Sequence, residues 1–190
     1  MGSGTEETSP FVKNSGYASK SGQNPPVPKD VDRVKVYRAE QQVASALSTS
    51  SGNFDFFGSK LYVQPETTFE AIEQIQSYVE TVLSNYSKRT DCQIVGVKVR
   101  QRKGNQEAHY EFDTKTIAIP TTANWAMREL VILHEVAHHI TWQTNSRVAA
   151  HGAEFLQTYL ELVAAELSAE TNLLLRAAFD AQGLRIEIPR

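Results

Sequence analysis

The sequence predicts an α+β fold, because strand patterns are grouped together and helical patterns surround them. Apolar and polar residues alternate through Val95, Val97 and Val99, which is the period of a half-buried strand. A period of 3.6 residues, typical of a helix with one apolar face, runs from about 67 to 86. These two patterns predict a small antiparallel or mixed sheet packed against a central helix and further helices.

The first half of the chain contains four predicted elements. In chain order they are a short strand at 34–37, a helix at 39–47, an extended piece at 61–63, and a helix that ends near Tyr86. A polar run at 48–52 ends the second of these elements. Either Thr67 or Thr68 is the predicted N-cap of the last one, since threonine hydroxyls accept hydrogen bonds from free backbone N–H groups.

The second half begins with the alternating valines and continues as a predicted antiparallel meander. A turn at 103–106, a strand at 108–112, a turn at 113–115 and a strand at 116–119 complete the meander. Asn124 is the predicted N-cap of a helix that ends near Trp142. Helices are expected at 151–167 and 169–182, with Gly183 as the stop, and a last short strand is expected around Ile186 and Ile188.

Length and composition set the broad class of protein. The chain has 190 residues, which suits one domain, and its net charge of -3 does not indicate a dedicated nucleic-acid binder. Residues 1–30 are rich in Ser, Gly, Thr, Asn and Pro, so we expect a disordered tail before a domain at 31–190. Cys92 is the single cysteine, and no apolar run is long enough for a membrane span, so a cytoplasmic protein without membrane contact is expected.

The segment His134-Glu135-Val136-Ala137-His138 carries the strongest chemical signal. Residues four positions apart lie one above the other on a helix, so both imidazoles are directed at one point. This is the arrangement that a bound Zn²⁺ needs, and Glu135 beside it is placed to act as general base on a water activated by the metal. The apolar residues around the motif favour a buried, central helix over a chance match on a surface helix.

A catalytic zinc site usually has three protein ligands, so a third ligand is required. His151 is the best candidate, because it stands at the predicted start of the next helix after a loop that lets the chain turn back. Glu154, one turn further on, is the alternative. His139 points about 100° away from His138 on the helix and is expected to be a buried polar residue or a contact behind the ligands. His109 is expected to be a surface or cross-strand residue.

Several groups are weaker candidates for roles around the metal. Tyr159, His139 and Arg147 are candidate donors to an oxyanion, which needs a donor besides the metal. The strand at 116–119 is a candidate edge for binding an extended peptide by strand addition, or it is ordinary sheet. A basic strip, Lys98, Arg100, Arg102 and Lys103, is more simply explained as a solvated sheet face than as a nucleic-acid surface.

The combination of His134-Glu135-x-x-His138 with His151-Gly152-x-x-Phe155 resembles the SprT-like, or Spartan-type, minimal zincins. The likeness covers about 123–162, and the second element makes it considerably more specific than the first alone. The metzincin pattern does not fit, since Thr141 and Thr144 stand where it needs Gly and His. The resemblance implies a minimal zincin-like fold, zinc bound by His134, His138 and His151, and Glu135 as the catalytic residue.

Three functions therefore follow from the sequence. The first is a zinc-dependent hydrolase, a metallopeptidase with a protein or peptide substrate. The second is a metal-dependent amidase that acts on a small molecule. The third is a metal-stabilised binding module without turnover, with nucleic acid as a weakly supported partner. The intact Glu135 argues against the third, because a purely structural metal site does not require it.

Overall fold

The computed structural model of the chain describes residues 28–49, 52–104 and 106–186. Within them the helices are α1 (Arg33–Thr49), α2 (Ile72–Thr90), α3 (Glu129–Thr144), α4 (Ala153–Glu166) and α5 (Ala169–Ala181). The strands are β1 (Asn53–Phe56), β2 (Ser59–Tyr62), β3 (Lys98–Gln101), β4 (His109–Glu111) and β5 (Thr116–Ile119). The predicted α+β class is confirmed. No helix in the described ranges combines the length and the apolar character needed to cross a bilayer.

The first helix occupies the place of a predicted strand. The strand expected at 34–37 is wrong, because α1 is already helical from Arg33. Val36, Ala39 and Val43 are buried, and their spacing of three and four residues puts them on one face of a helix. The helix expected at 39–47 lies inside α1 and is confirmed.

Helix α2 begins later than expected. Ala71 is its N-cap, so the predicted cap at Thr67 or Thr68 is wrong. These two threonines instead contact the start of α3: Thr67 donates its N–H to Glu129, and Thr68 forms a β-bridge with Arg128. The predicted apolar face of α2 is buried, as its residues show: Ile75, Val79, Val82, Leu83 and Tyr86.

The main sheet is mixed, with strand order β3-β5-β4. The predicted antiparallel meander is wrong, because β3 pairs with β5 in parallel and only β4 pairs with β5 antiparallel. The turn at 113–115 makes a hairpin of β4 and β5, and Lys115 adopts a positive φ of 49° there. The predicted turn at 103–106, of which Asn105 lies outside the described residues, falls between β3 and β4, which occupy opposite edges of the sheet. Strand β5 is central, and all four of its residues are buried.

A second, two-stranded sheet follows α1. Strands β1 and β2 pair antiparallel, with Asn53 opposite Tyr62 and Phe56 opposite Ser59. Phe57 and Gly58 form the two-residue turn with φ values of 50° and 81°, the conformation that such hairpin turns require. The extended piece predicted at 61–63 falls at the end of this hairpin, whereas β1 was not predicted.

Helix α3 is the centre of the domain. It begins at Glu129 and not at Asn124, which starts a separate 3₁₀ turn (Asn124–Ala126), so the predicted cap is wrong. The Glu66 carboxylate accepts the free backbone N–H of Leu130 at 3.1 Å instead. Strand β4 and helices α2 and α4 pack around α3. Twelve of its sixteen residues are buried, as the apolar flanks of the motif predict.

Helices α4 and α5 confirm the two predicted C-terminal helices. Ser168 caps α5 by accepting the backbone N–H of Thr171 at 3.0 Å, and Gly183 ends it with φ 69°. Ile186 lies in irregular chain, so the last strand is wrong in its described part, and Ile188 lies outside the described residues. Most of the predicted tail also lies outside them, but Asp30 bonds to His151, so the folded domain begins before residue 31.

Removal of the Phe179 side chain is expected to destabilise the fold. Phe179 is fully buried on α5 and its ring lies 6.3 Å from that of Tyr159. Phe179→Ala should lower the free energy of unfolding by roughly 3–5 kcal/mol, measured by urea denaturation. Leu173→Ala on the same helix is the matched control, because Leu173 is 39% exposed. Equal losses in the two variants would contradict the packing described for α5.

Candidate metal centre

Two of the predicted ligands meet on one face of α3. The Nε2 atoms of His134 and His138 are 3.1 Å apart, as expected for residues one helical turn apart with side chains turned to the same point. Both residues are buried, with 3% and 7% of their surface exposed. The helix geometry predicted from the motif is therefore present.

The third histidine reaches this point from the turn before α4. His151 Nε2 lies 3.3 Å from His134 Nε2, and the three ligand atoms all lie within 4.8 Å of one another. Gly152 donates its N–H to the Ala149 carbonyl at 2.9 Å, which closes the turn. A Cβ on Gly152 would lie only 3.2 Å from that carbonyl oxygen, so a side chain there would crowd the turn. His151, and not Glu154, completes the group.

In two of the three rings, the nitrogen that points away from the ligand group is hydrogen-bonded to a carboxylate. Glu40 Oε1 lies 2.6 Å from Nδ1 of His134, and Asp30 Oδ2 lies 2.7 Å from Nδ1 of His151. Since an ionised carboxylate only accepts hydrogen bonds, each Nδ1 must carry the proton and each Nε2 is left with a lone pair. Both carboxylates escaped the sequence analysis. The available signal was Glu40 itself, an acidic residue on the buried face of α1.

Aromatic rings fix the orientation of the imidazoles. Phe155 stacks on His138 with centroids 4.4 Å apart, and Tyr37 stacks on His134 at 5.5 Å. The edge of Tyr159 meets His134 at 5.6 Å. Phe155 and Tyr159 are fully buried, so these rings have little freedom to turn. The phenylalanine of His151-Gly152-x-x-Phe155 thus supports a histidine of the helix motif directly.

The environment favours neutral imidazoles at two positions. Burial, together with the charge of neighbouring histidines, lowers the pKa of His138 and of His151. At His134 burial also lowers the pKa, but the charge and hydrogen bond of Glu40 outweigh it, so the pKa is raised overall. Neutral imidazole is the form that binds a metal.

The donor set fits a divalent cation. Three lone pairs that converge in a buried site repel one another, and a bound cation would offset this repulsion. Nitrogens about 2.0–2.1 Å from a tetrahedral ion lie roughly 3.3 Å from each other. The Nε2 separations of 3.1 and 3.3 Å agree with that spacing. The buried group of His134, His138 and His151 can therefore hold a metal ion.

Glu135 lies beside this group, and one of its two carboxylate oxygens lacks a hydrogen-bond partner in the described part of the chain. It is 3% exposed, and its Oε2 has no hydrogen-bond partner among the described residues. Burial raises the pKa of Glu135 to about 7, although the charge of His134 opposes the shift. A carboxylate with a pKa near neutrality can both take and return a proton at physiological pH. A cation bound at the three histidines would favour the ionised form of Glu135.

A cavity of about 640 Å³ opens onto His134 and Glu135. Its walls come from α1, from the segment before β4, and from the start of α3. Trp125, 42% exposed, and Arg128 also line it, and the sequence predicts a role at the site for neither. The Arg128 guanidinium pairs with Glu66, the carboxylate that also accepts the backbone N–H of Leu130 in the first turn of α3. The volume is in the range of a small-molecule or peptide side-chain pocket.

The remaining histidines lie apart from the ligand group. His139 Nδ1 is 3.0 Å from the Tyr110 hydroxyl and its Nε2 is 2.8 Å from the Val95 carbonyl oxygen, so it ties α3 to the sheet. This agrees with its expected role as a buried polar residue. His109, on β4, has its Nδ1 2.8 Å from Arg102 and is a cross-strand residue, as expected.

The candidate oxyanion donors are not gathered at the site. The Tyr159 hydroxyl lines the cavity wall but donates to the Leu130 carbonyl at 3.1 Å. His139 is engaged with the sheet, and Arg147 is exposed in the loop between α3 and α4. The alternative role of His139 as an oxyanion donor does not fit, because its ring nitrogens contact Tyr110 and Val95.

The basic strip is largely occupied by contacts within the sheet. Arg100 pairs with Glu111, and Arg102 donates to the Glu107 carbonyl, while Lys98 is exposed. These contacts agree with the interpretation as a solvated sheet face. Cys92 is partly buried and lies outside the ligand group.

In comparisons with known proteins, no protein-family model, no curated protein and no solved structure matches this chain. The site is therefore interpreted from its own geometry and chemistry.

Metal content is expected to depend on His151 and not on Glu154. Wild-type protein supplied with zinc should bind about one ion per chain, and His151→Ala should lose or greatly weaken it, because two imidazoles hold the ion poorly. Elemental analysis after removal of free metal measures this. Glu154→Gln is the matched control, since Glu154 is outside the group, and it should bind zinc like the wild type. Full occupancy in His151→Ala would reject the three-histidine site.

Proposed function

We propose that this protein is a zinc-dependent hydrolase that cleaves peptide bonds, a minimal zincin of the SprT-like type. The observation that carries the proposal is the buried group of three imidazoles with Glu135 next to it, one of whose carboxylate oxygens has no hydrogen-bond partner within the described ranges. Three protein ligands are typical of catalytic zinc sites, which keep one position open, whereas structural sites use four. The stacking of Phe155 on His138 gives the second half of the sequence resemblance a physical role.

Zinc is proposed because a buried set of three converging imidazole nitrogens suits it, with two separations close to tetrahedral spacing, and because catalytic three-histidine zinc sites are well established. His134, His138 and His151 would hold the ion. When bound, it would lower the pKa of a coordinated water towards about 7 and polarise a substrate carbonyl. Glu40 and Asp30 accept hydrogen bonds from the Nδ1–H groups of His134 and His151 and so keep the ligand lone pairs directed at the ion.

Glu135 would move the protons of the reaction. Its carboxylate takes one proton from the attacking water as the water oxygen bonds to the peptide carbon. The C–N bond then breaks, and Glu135 returns the proton to the leaving nitrogen, so that an acid and an amine are released. Burial favours the protonated intermediate state of Glu135, because the neutral acid is more easily accommodated in an apolar site than the charged form.

The substrate would bind along β4 and not along the strand first considered. The predicted edge strand, β5, is central and paired on both sides, so its use for strand addition is wrong. Strand β4 is at the edge of the sheet, Ala108 just before it lines the cavity, and the backbone N–H of Tyr110 acts on the Glu135 carboxylate, lowering its pKa. An extended peptide added to β4 would pass beside Glu135.

Glu135→Gln is expected to abolish turnover while the metal is kept. The amide has nearly the same shape but cannot accept the proton, so the hydrolysis rate should fall by roughly 10²–10⁴. Cleavage of an unfolded protein is followed by gel, and zinc content is measured on the same preparations. Glu161→Gln, an exposed residue of α4, is the matched control and should cleave like the wild type. Wild-type cleavage by Glu135→Gln would overturn the mechanism.

Substrate class separates peptide cleavage from the alternatives. We expect unfolded proteins and extended peptides to be cleaved, because strand addition to β4 uses the repeating backbone groups of a peptide. A peptide with N-methylated amides around its cleavage site should be cleaved much more slowly than its unmodified form. Hydrolysis of small amides alone would favour an amidase. Salt-dependent DNA binding that persists in Glu135→Gln, without hydrolysis, would favour a binding module.

A further inference from the structure

The first turns of α1 and the residues just before them contact the ligand group at several points. Asp30 and Glu40 each bond to the outer nitrogen of a ligand, across 121 and 94 positions of sequence. Between them, Tyr37 stacks on His134 and meets His151 edge-on, with centroids 5.5 Å away in both cases. Residues 30–40 thus contact two of the three ligand histidines, His134 and His151. We call residues 30–40 the N-terminal clamp.

The two carboxylates are held in place well enough to orient the rings. Their side chains are 26% and 20% exposed, much less than a surface acid, while the histidines that they contact are almost completely buried. Each carboxylate fixes one tautomer, with the proton on Nδ1 and the lone pair on Nε2. It also increases the basicity of the ring and therefore its strength as a ligand.

A second contact ties the clamp across the mouth of the cavity. Arg33, in the first turn of α1, lies over the Tyr37 ring and pairs with Glu107 before β4 at 2.9 Å. Both charged side chains are about half exposed, at 47% and 52%, so this ion pair stabilises the clamp only weakly. Compared with this ion pair, the hydrogen bonds from the buried ligand histidines to Glu40 and Asp30 are the stronger polar contacts of the clamp.

We propose that the N-terminal clamp is part of the metal site, with Asp30 and Glu40 as positioning residues, so that metal binding and docking of the clamp are coupled. A metal ion on the three Nε2 atoms would fix the rings of His134 and His151, to which the clamp bonds. The docked clamp in turn holds the same two rings in the orientation that metal binding requires. By linkage, each event increases the affinity of the other by the same factor. The inference rests on the metal site of the proposed function and adds a regulation to it.

The test is the zinc affinity of the full chain, measured by competition with a chromophoric chelator. Asp30→Asn and Glu40→Gln keep a neutral acceptor but lose the negative charge, and each should weaken zinc binding by roughly 10- to 100-fold. Asp32→Asn is the matched control. It removes a carboxylate from the same segment, but Asp32 pairs with Lys35 and contacts no ligand, so its affinity should equal that of the wild type.

A second measurement separates positioning from a general loss of stability. Zinc should slow the hydrogen exchange of α1 amides in the wild type, and this protection should be smaller in Asp30→Asn and Glu40→Gln. Without zinc, the unfolding midpoints of the wild type and the two variants should differ little. The reason is that the contacts between the clamp and the rings are strongest when the metal fixes the rings. Lower zinc-free stability with wild-type zinc affinity would mean a merely structural role and would overturn the inference.

The outcomes also distinguish this inference from the proposed function. A wild-type protein that binds no zinc would overturn both. Wild-type zinc affinity in Asp30→Asn and Glu40→Gln, together with loss of turnover in Glu135→Gln, would overturn the clamp and leave the hydrolase standing. Weaker zinc binding in the two clamp variants, with no hydrolysis by the wild type, would support the clamp and reject the hydrolase.

Discussion

The convergence of three imidazole nitrogens in an apolar interior is the constraint on which the rest of the structure depends. Buried polar groups are costly unless they have partners, and three facing lone pairs repel each other. The domain meets this requirement at the outer nitrogens through Glu40 and Asp30, and at the ring faces through aromatic stacking. At the inner nitrogens, the three converging lone pairs can hold a cation. The central position of α3, the tight turn before α4 and the docking of α1 all serve the same point.

The sequence predicts the ligands and misses their partners for a physical reason. His134 and His138 belong to one helix, and helical geometry alone places them together. His151 follows within a short distance in sequence, so a loop and a helix start are enough to bring it back. Glu40 and Asp30 are 94 and 121 residues from the histidines that they contact. Local periodicity reports which face of an element is buried, and it carries no information about which distant element packs there.

The same distinction separates the correct and incorrect parts of the predicted fold. The long amphipathic helices were predicted well, since several turns of apolar spacing define them. The sheet was predicted as a meander because a period of two identifies strands but not their neighbours. In the structure β3 lies on the opposite side of β5 from β4, which chain order does not reveal. Thr67 and Thr68 were misassigned for a related reason: they contact the start of α3 and not the helix that follows them.

The position of the cavity that leads to the site favours a catalytic metal site over a purely structural one. The cavity opens on His134 and Glu135, while the stacked Phe155 lies against His138 and is itself fully buried. A purely structural ion would gain from a fourth protein ligand. Here the neighbouring Glu135 is instead buried and lines a cavity, and one of its carboxylate oxygens has no partner among the residues that the structure describes, an arrangement that costs stability. A buried polar atom without a partner is expected where a group must be ready to exchange a proton. It has no benefit in a site that only stabilises the fold.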